Sequence, residues 1–476
     1  MDYEGFKQSV AAAAGKFKKE CDGRPVRIIS HLDADGIAAA SIIINALNRE
    51  NTTYSISIVP QLNSNLVSSL AKEDYEYFIF TDLASEYADE VAEKLSDRKI
   101  LILDHHDVSK EKAEAVREKD NIMFVNPALS GIDGGKEIAG AGVVYLFAKA
   151  LNESNKENAY LGILGAIGDV QEELGFRKLN DEILQEAIDN GQIEVKEGLR
   201  VFGSQTRPVH KVLEYSNDPY IPGVSGNESR ALQFLQEIGI NPRKGNDWKK
   251  LGDLTRDEMK RLVASVIMKR NGEEKPEDVL GFTYTLLNGE RGTPFRDAKE
   301  FSTLLNACGR LNKASVGIGA CLCDKKSRQR AMRTLDEYKK AIVKAMNWYR
   351  DNSEKIMKGD GYIIINAGEN IPSTIIGTTA SILTRGNSLE EGTLVMALAN
   401  ALDGTTKVSL RIANQRNAIK DIDLREIVKE ITARAGGEFG GHQFAAGAVI
   451  PNENEEAFIE AAKEVLAKRA IEEKVS

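Results

Sequence analysis

Only five histidines occur in the 476 residues, and four of them sit beside carboxylates or glycines at the ends of expected elements. In IISHLDADGIAAA the apolar run VRIIS passes directly into His31, Asp33 and Asp35, and Gly36 then opens a helical pattern. Alternate residues at the end of a strand project to one side, so these three side chains can converge on one point. The plainer alternative is that Asp35 caps the helix and Asp33 serves the turn, and on these residues alone the two readings stand level. Three more carboxylates fall at matching places. Asp82 ends YFIFTD, Asp104 ends KILILD and is followed by His105 and His106, and Asp169 lies in the Gly-flanked turn ILGAIGDV. Carboxylates cannot share a crevice unpaired, because like charges raise one another's pKa and lose solvation. A divalent cation resolves that conflict. Asp and His without thiolate suit Mn²⁺ or Mg²⁺ better than structural zinc, and about seven such ligands suffice for two octahedral ions that share a bridging carboxylate. Two ions roughly 3.5–4 Å apart are the usual apparatus for attack of water on phosphorus. A GxxxxGK(S/T) phosphate loop and a GxSxG elbow are both absent from the sequence.

The elements that must position these groups can be read from the same segment. VRIIS (26–30), SISIV (55–59), YFIFTD (77–82), KILILD (99–104) and MFVN (123–126) are near-continuous apolar runs, the pattern of a parallel sheet covered by helices on both faces. In such a doubly wound α/β domain ligands bind in the crevice at the carboxyl ends of the strands, where independent strand ends bring the carboxylates together. Strand signal fades over 216–290, where NESRALQFLQEIG and TRDEMKRLVASVIMK have helical spacing. The expected organisation is a catalytic domain over 1–215, a helical insertion over 216–290 and a return to the catalytic domain over 291–325. A connecting helix over 326–358 and a smaller α/β domain with a mixed sheet over 359–476 complete it. FSTLLNACGRLNKASVGIGACLC reads as helix followed by strand.

Composition limits the remaining options. A chain of this length exceeds what one hydrophobic core usually serves. Its apolar fraction of 42% and charged fraction of 28% are those of a soluble protein, and no run reaches the roughly 18 apolar residues of a membrane span. The first residues read as an amphipathic helix and not as a signal peptide. Cys21, Cys308, Cys321 and Cys323 contain no CxxC pair, which argues against a disulfide framework or a zinc site and for a reducing cytoplasm. A net charge of −9 argues against coating of duplex DNA by an extended basic face. The basic cluster Lys325, Lys326, Arg328, Arg330 and Arg333 reads as the solvated face of a helix, and His210, which has no ligating company, reads as structural.

SHLDADG, TDLAS, DHH and AIGD, in this order and spacing, resemble the four motifs of the DHH phosphoesterase superfamily. NACGRLN (306–312), KVSLR (407–411) and GGHQFAAG (440–447) resemble elements of the DHH-associated domain of RecJ nucleases. The resemblance covers nearly the whole chain and is strongest to archaeal RecJ-like nucleases, some of which associate with the GINS complex of the replicative helicase. It implies a hydrolase: a manganese- or magnesium-dependent exonuclease of single-stranded DNA or RNA, linked to DNA replication or repair. Carried over, it makes Asp82 the carboxylate that bridges two ions. His31 and Asp33 complete one ion's shell, and Asp35, His105 and Asp169 complete the other's. His106 faces the scissile phosphate as hydrogen-bond donor or acid, while Asp104 orients an imidazole. In the far domain Gly440, Gly441 and His442 are expected to approach a phosphate, and Ser409 and Arg411 to share one strand face as a phosphate clamp. Arg310 and Asn312 are assigned to substrate as well, and the insertion to a GINS-type or helicase partner. Two other readings remain: a phosphodiesterase of short oligonucleotides or cyclic dinucleotides, and a replication scaffold with little catalysis.

Overall fold

The apolar runs near the start of the chain form five strands in this computed structural model: β1 (Val26–His31), β2 (Tyr54–Val59), β3 (Tyr77–Thr81), β4 (Lys99–Leu103) and β5 (Ile122–Val125). It describes every residue except 174, 217–218, 274, 387–388, 414–421 and 476, and gives only the backbone of 442 and 470–475. All five strands pair in parallel, in the order β2-β1-β3-β4-β5. Helix α1 (Tyr3–Cys21) precedes them, α2 (Ala34–Arg49), α3 (Ser64–Leu70), α4 (Ala88–Lys94) and α5 (Lys110–Arg117) run between them, and α6 (Gly140–Leu151) and α7 (Ala159–Gly168) follow.

The two-residue period of the strands sorts their side chains between two layers. Phe78, Phe80, Ile100 and Ile102 join Val67, Leu70, Val91 and Leu95 in one cluster on the α3–α4 side. Tyr77 points the other way and meets Phe17 of α1, which also meets Phe147 of α6. From β1 the chain steps outward to β2 and then returns to the far side of β1 as β3. The loops leaving β1 and β3 therefore diverge, and this switch point opens the crevice that receives the site.

Helix α8 (Lys178–Asp189) leads into β6 (Ile193–Leu199) and then α9 (Val209–Glu214), α10 (Glu228–Glu237), the short hairpin β7 (Arg243–Lys244) and β8 (Asp247–Trp248), α11 (Arg256–Lys269) and β9 (Leu280–Leu286). Val209, Leu213, Phe234, Leu235, Leu262 and Val266 give this region its own core. The expectation of a helical insertion over 216–290 needs correction, since the segment also holds the strands β7, β8 and β9. Strand β9 pairs antiparallel with β6 over its full length, and the alternation of Tyr284 and Leu286, buried, with Thr283 and Thr285 is the period-two pattern that marks it.

Helix α12 (Ala298–Arg310) and α13 (Ala314–Cys321) follow. The strand expected within 314–323 is a helix, because Gly317 lets α13 approach closely: a Cβ there would lie 3.2 Å from Cys308 Cβ and 3.3 Å from Ile37. All four cysteines are free thiols. The 27-residue helix α14 (Lys325–Asp351) carries the basic cluster in its first turns, and the chain divides within it into two compact units, Met1–Leu335 and Asp336–Ser476.

The second unit contains β10 (Met357–Gly359), β11 (Tyr362–Asn366), α15 (Ser373–Arg385), β12 (Leu394–Asn400), β13 (Thr405–Ile412), α16 (Leu424–Ala435), β14 (Glu438–His442), β15 (Ala445–Pro451) and α17 (Glu455–Val475). Its sheet order is β10-β11-β12-β13-β15-β14, and it is mixed because only β11 and β12 run parallel. Ile364, Met396, Leu410 and Ala448 pack with Ile427, Ile431, Phe458 and Leu466 of α16 and α17. Among the described residues no helix is long and apolar enough to cross a membrane.

Candidate active site

His31 ends β1, and Asp33 caps α2 by accepting the Gly36 N–H at 3.0 Å. Helix capping is therefore done by Asp33 and not by Asp35. Asp35, fully buried in the first turn of α2, reaches across to the start of α6 and accepts the N–H groups of Gly140 at 2.7 Å and Ala141 at 2.9 Å, a helix terminus whose dipole favours a carboxylate. Asp82 follows β3 with φ +58°, a left-handed conformation that Asp tolerates better than most residues. Asp104 follows β4, and Asp169 closes the C-terminus of α7.

These groups meet at the switch point. His31 Nδ1 lies 2.9 Å from Asp33 Oδ2 and 3.6 Å from Asp82 Oδ2. His105 Nε2 lies 3.3 Å from Asp82 Oδ1, 3.2 Å from Asp169 Oδ2 and 3.7 Å from Asp35 Oδ2. Yet His31 Nδ1, His105 Nε2 and both oxygens of Asp82 are buried without a hydrogen-bond partner. Buried polar atoms left unpaired are costly, and four of them facing one another among nitrogen and oxygen donors fit a divalent cation. The site is also cramped by design. A Cβ on Gly140 would lie 2.5 Å from Asp82 Oδ1, and one on Gly165 2.0 Å from Asp35 Oδ1.

Asp104 is engaged differently. Its Oδ2 accepts the Ser85 N–H at 2.8 Å, and its Oδ1 accepts the His105 N–H at 2.8 Å and His106 Nδ1 at 2.7 Å. With its oxygens thus occupied, it anchors His106, whose side chain is 37% exposed.

Crowding sets the protonation of the metal-free site. Burial first, then the charges of Asp82 and Asp169, push Asp35 well above the usual carboxylate range. Burial, offset in part by His105, raises Asp169 to about 7. For His31 and His105 burial opposes the charge but is outweighed by the surrounding carboxylates, so both stand well above the ordinary imidazole value. Desolvation of His106 is likewise outweighed by Asp104. Asp33 and Asp104 are held well below the usual range: burial opposes this, but His31 outweighs it at Asp33 and His106 at Asp104.

Residues 25–166 match the N-terminal domain of the DHH family, 201–277 the DHH-CID domain, and 359–468 the DHHA1 domain. The chain carries DHH, DHH-CID and DHHA1 domains, and its fold is RecJ-like. It is 29% identical to an uncharacterised protein of Methanocaldococcus jannaschii over 93% of this chain and 94% of that one. A Bacillus subtilis prophage protein, YorK, named for single-strand DNA-specific exonuclease activity, is 28% identical over 31% of this chain and 25% of its own length. Among solved structures, Thermus thermophilus RecJ in complex with Mn²⁺ is similar with a TM-score of 0.59 at 17% identity, covering 98% of this chain. The chain spans 55% of that RecJ chain. Entamoeba histolytica CDC45 is similar with a TM-score of 0.63 at 12% identity, over 97% of this chain and 99% of that one.

The remaining residues singled out from the sequence lie as follows. Arg310 ends α12, and Asn312 just beyond it has φ +57° and donates its N–H to Gly309 O at 3.0 Å, the geometry of a helix stop. In the second unit Ser409 and Arg411 share one face of β13: a Cβ on Gly377 of α15 would lie 3.0 Å from Ser409 Oγ and 3.5 Å from Arg411 Nη2. Gly441 has φ +125° and its Cβ position is filled by Ala445 O at 2.3 Å, so hairpin pairing requires this glycine, while Gly440 faces open space. His442 ends β14, and its side chain lies outside the described residues. His210 is buried against Trp248 at a ring separation of 4.3 Å. Sequence reasoning missed the Gly140 and Ala141 amides, and missed Asn306, whose Oδ1 accepts the Ala34 N–H at 3.1 Å.

The protonation states predict a metal-dependent stability profile. Asp35, Asp169, His31 and His105 have folded pKa values above their unfolded ones, so their contribution is present at low pH and lost as pH rises. Asp33 and Asp104 act only in the acid range, where their contribution is lost as pH falls. Between pH 6 and 8 the metal-free melting temperature should therefore drop, and the rise caused by Mn²⁺ should grow as the competing protons leave. Thermal melts with Mn²⁺ and with EDTA across that interval measure both, and a Mn²⁺ effect that stays constant or shrinks with pH contradicts the assignment.

Proposed function

We propose that this protein is an exonuclease that hydrolyses the phosphodiester bonds of single-stranded DNA or RNA, with two ions of Mn²⁺ or Mg²⁺ in its centre. The observation that carries this reading is Asp82, whose Oδ2 faces His31 while its Oδ1 faces His105, with neither oxygen hydrogen-bonded. Asp82 would bridge, with His31 and Asp33 completing one set of ligands and Asp35, His105 and Asp169 the other. What such ions supply when bound is a lowered water pKa and charge neutralisation at the phosphate. The chain's own residues do the rest. The Gly140 and Ala141 amides keep Asp35 aimed. His106, tied through Nδ1 to Asp104 and raised in pKa, would offer its other ring nitrogen to the scissile phosphate as donor or acid.

In the second unit the guanidinium of Arg411, on one face with Ser409, would hold a strand phosphate. The open space at Gly440 would leave room for another, with His442 as donor, and Arg310 and Asn312 would contact substrate too. The DHH-CID region has its own core, and the three candidate metal-holding groups found among the described residues all lie outside it. The insertion over 216–290, most of which this region covers, is proposed to dock a replication or repair protein of the GINS type.

DNA and RNA single strands labelled separately at the 5′ and 3′ ends test the activity. With Mn²⁺ one end should release labelled mononucleotides progressively, and EDTA should stop the reaction. Internal fragments from both labels, or no cleavage at all, would sink the exonuclease reading. Cleavage restricted to dinucleotides would favour a short-oligonucleotide phosphodiesterase.

A further inference from the structure

Behind His105 lies a layer of buried amides that takes no part in the proposed chemistry. His105 Nδ1 donates to the carbonyl oxygen of Gly134 at 2.7 Å. The same oxygen accepts Gln171 Nε2 at 2.9 Å, and Gln171 Oε1 accepts Asn180 Nδ2 at 2.6 Å. His105, Gln171 and Asn180 are 2%, 6% and 0% exposed. The loop that carries Gly134 is pinned a second time, because the Asn180 N–H donates to Glu137 O at 2.9 Å. Gly134 itself admits no side chain, since a Cβ would lie 1.9 Å from His105 O.

A carbonyl can only accept, so the bond to Gly134 requires the proton on Nδ1 and turns Nε2 toward Asp35, Asp82 and Asp169. Nε2 is the atom that has no hydrogen-bond partner. The Gly134 carbonyl thus decides which nitrogen of His105 reaches the centre, and Gln171 and Asn180 decide where that carbonyl sits.

The backbone between Asp169 and Gln171 supports the same conclusion. Val170 has φ +59°, a left-handed conformation in which a β-branched residue is a genuine outlier and glycine is usual at the end of a helix. The Gln171 N–H donates to Ala166 O at 2.9 Å and the Asp169 N–H to Gly165 O at 3.1 Å. That turn sends the Asp169 carboxylate into the centre and the Gln171 amide into the layer behind it. Strain of this kind persists where the surroundings on both sides hold it.

We propose that Gln171 and Asn180 are positioning residues for the metal centre, acting through the Gly134 carbonyl to aim His105 Nε2. The proposal rests on the metal-centre reading above. Partners of ligating histidines typically change metal affinity by about 10- to 100-fold when replaced.

Gln171→Met keeps the length of the side chain and removes its donor, and Asn180→Leu does the same one step further out. Calorimetric titration of the purified full chain with MnCl₂ should show Kd raised about 10-fold or more for Q171M. N180L should show a smaller rise, and the double variant should be no worse than Q171M, because the two act through one chain of bonds. A purely packing role would lower the melting temperature of the metal-free protein and leave Kd within twofold of wild type. That result, or additive losses in the double variant, overturns the proposal. N180L carries the test alone should Q171M not fold. Failure of the wild-type protein to bind Mn²⁺ would instead remove the metal-centre reading, and this proposal with it.

Discussion

Asp82→Asn is expected to reduce hydrolysis by at least about 10³-fold while leaving a folded protein. Asparagine has the same shape and is among the few residues that accept a left-handed backbone, which position 82 requires at φ +58°. The change is therefore confined to charge and to the ability of both oxygens to ligate. Among the described residues Asp82 is the one carboxylate that approaches both His31, at 3.6 Å, and His105, at 3.3 Å, so its loss should weaken both proposed ion positions together. Two readouts are needed: turnover of an end-labelled single strand, and the shift in melting temperature produced by Mn²⁺. Both should collapse, with the metal-free melting temperature within a few degrees of wild type. Near-normal turnover by the variant in Mn²⁺ would contradict a bridging role for this residue.

Gly309→Ala should be the most disruptive single methyl group in the first unit. A Cβ at position 309 would lie 1.6 Å from the backbone oxygen of Leu32, and Leu32 separates His31 from Asp33. Backbone cannot rotate away as a flexible side chain can, so either α12 or the loop bearing two proposed ligands must move. Overpacking of this kind typically costs about 1–3 kcal/mol of stability. Displacement by a fraction of an ångström should add a loss of Mn²⁺ affinity and of turnover, each on the order of 10²-fold. Gly15→Ala is the natural control: it lies within α1 with nothing within 4 Å of its Cβ position, and a glycine-to-alanine change in a helix should stabilise by roughly 0.5–1 kcal/mol. If Gly309→Ala retains wild-type Mn²⁺ binding, α12 does not support the loop.

Much of the first sheet could be read from the sequence because strands buried on both faces leave continuous apolar runs, and the five runs from VRIIS to MFVN correspond to β1 to β5. The groups that meet at the switch point were legible for a related reason: each stands immediately after such a run or at a helix end. What escaped had no local signature. Asp35 is held by backbone amides of Gly140 and Ala141, and backbone donors leave no trace in residue identity. Asn306 and Gln171 act on parts of the chain distant in sequence, so nothing in their neighbours announces the contact. The misreading of ASVGIGAC as strand has the opposite cause, since its β-branched and apolar residues mimic a strand while its glycines serve helix packing. Strand β9 was overlooked because it forms a two-stranded sheet with β6 alone and stands between helical segments.

The contact between Asn306 and Ala34 joins residues 272 positions apart. During synthesis the loop with His31, Asp33 and Asp35 leaves the ribosome long before the helix that braces it. At typical rates of 5–20 residues per second the interval is roughly 15–55 s. Throughout that time the five strands can already have formed, yet the loop between His31 and Asp35 stands without its brace. The loop between His31 and Asp35 therefore cannot receive this contact until α12 has been made, whatever has folded before it.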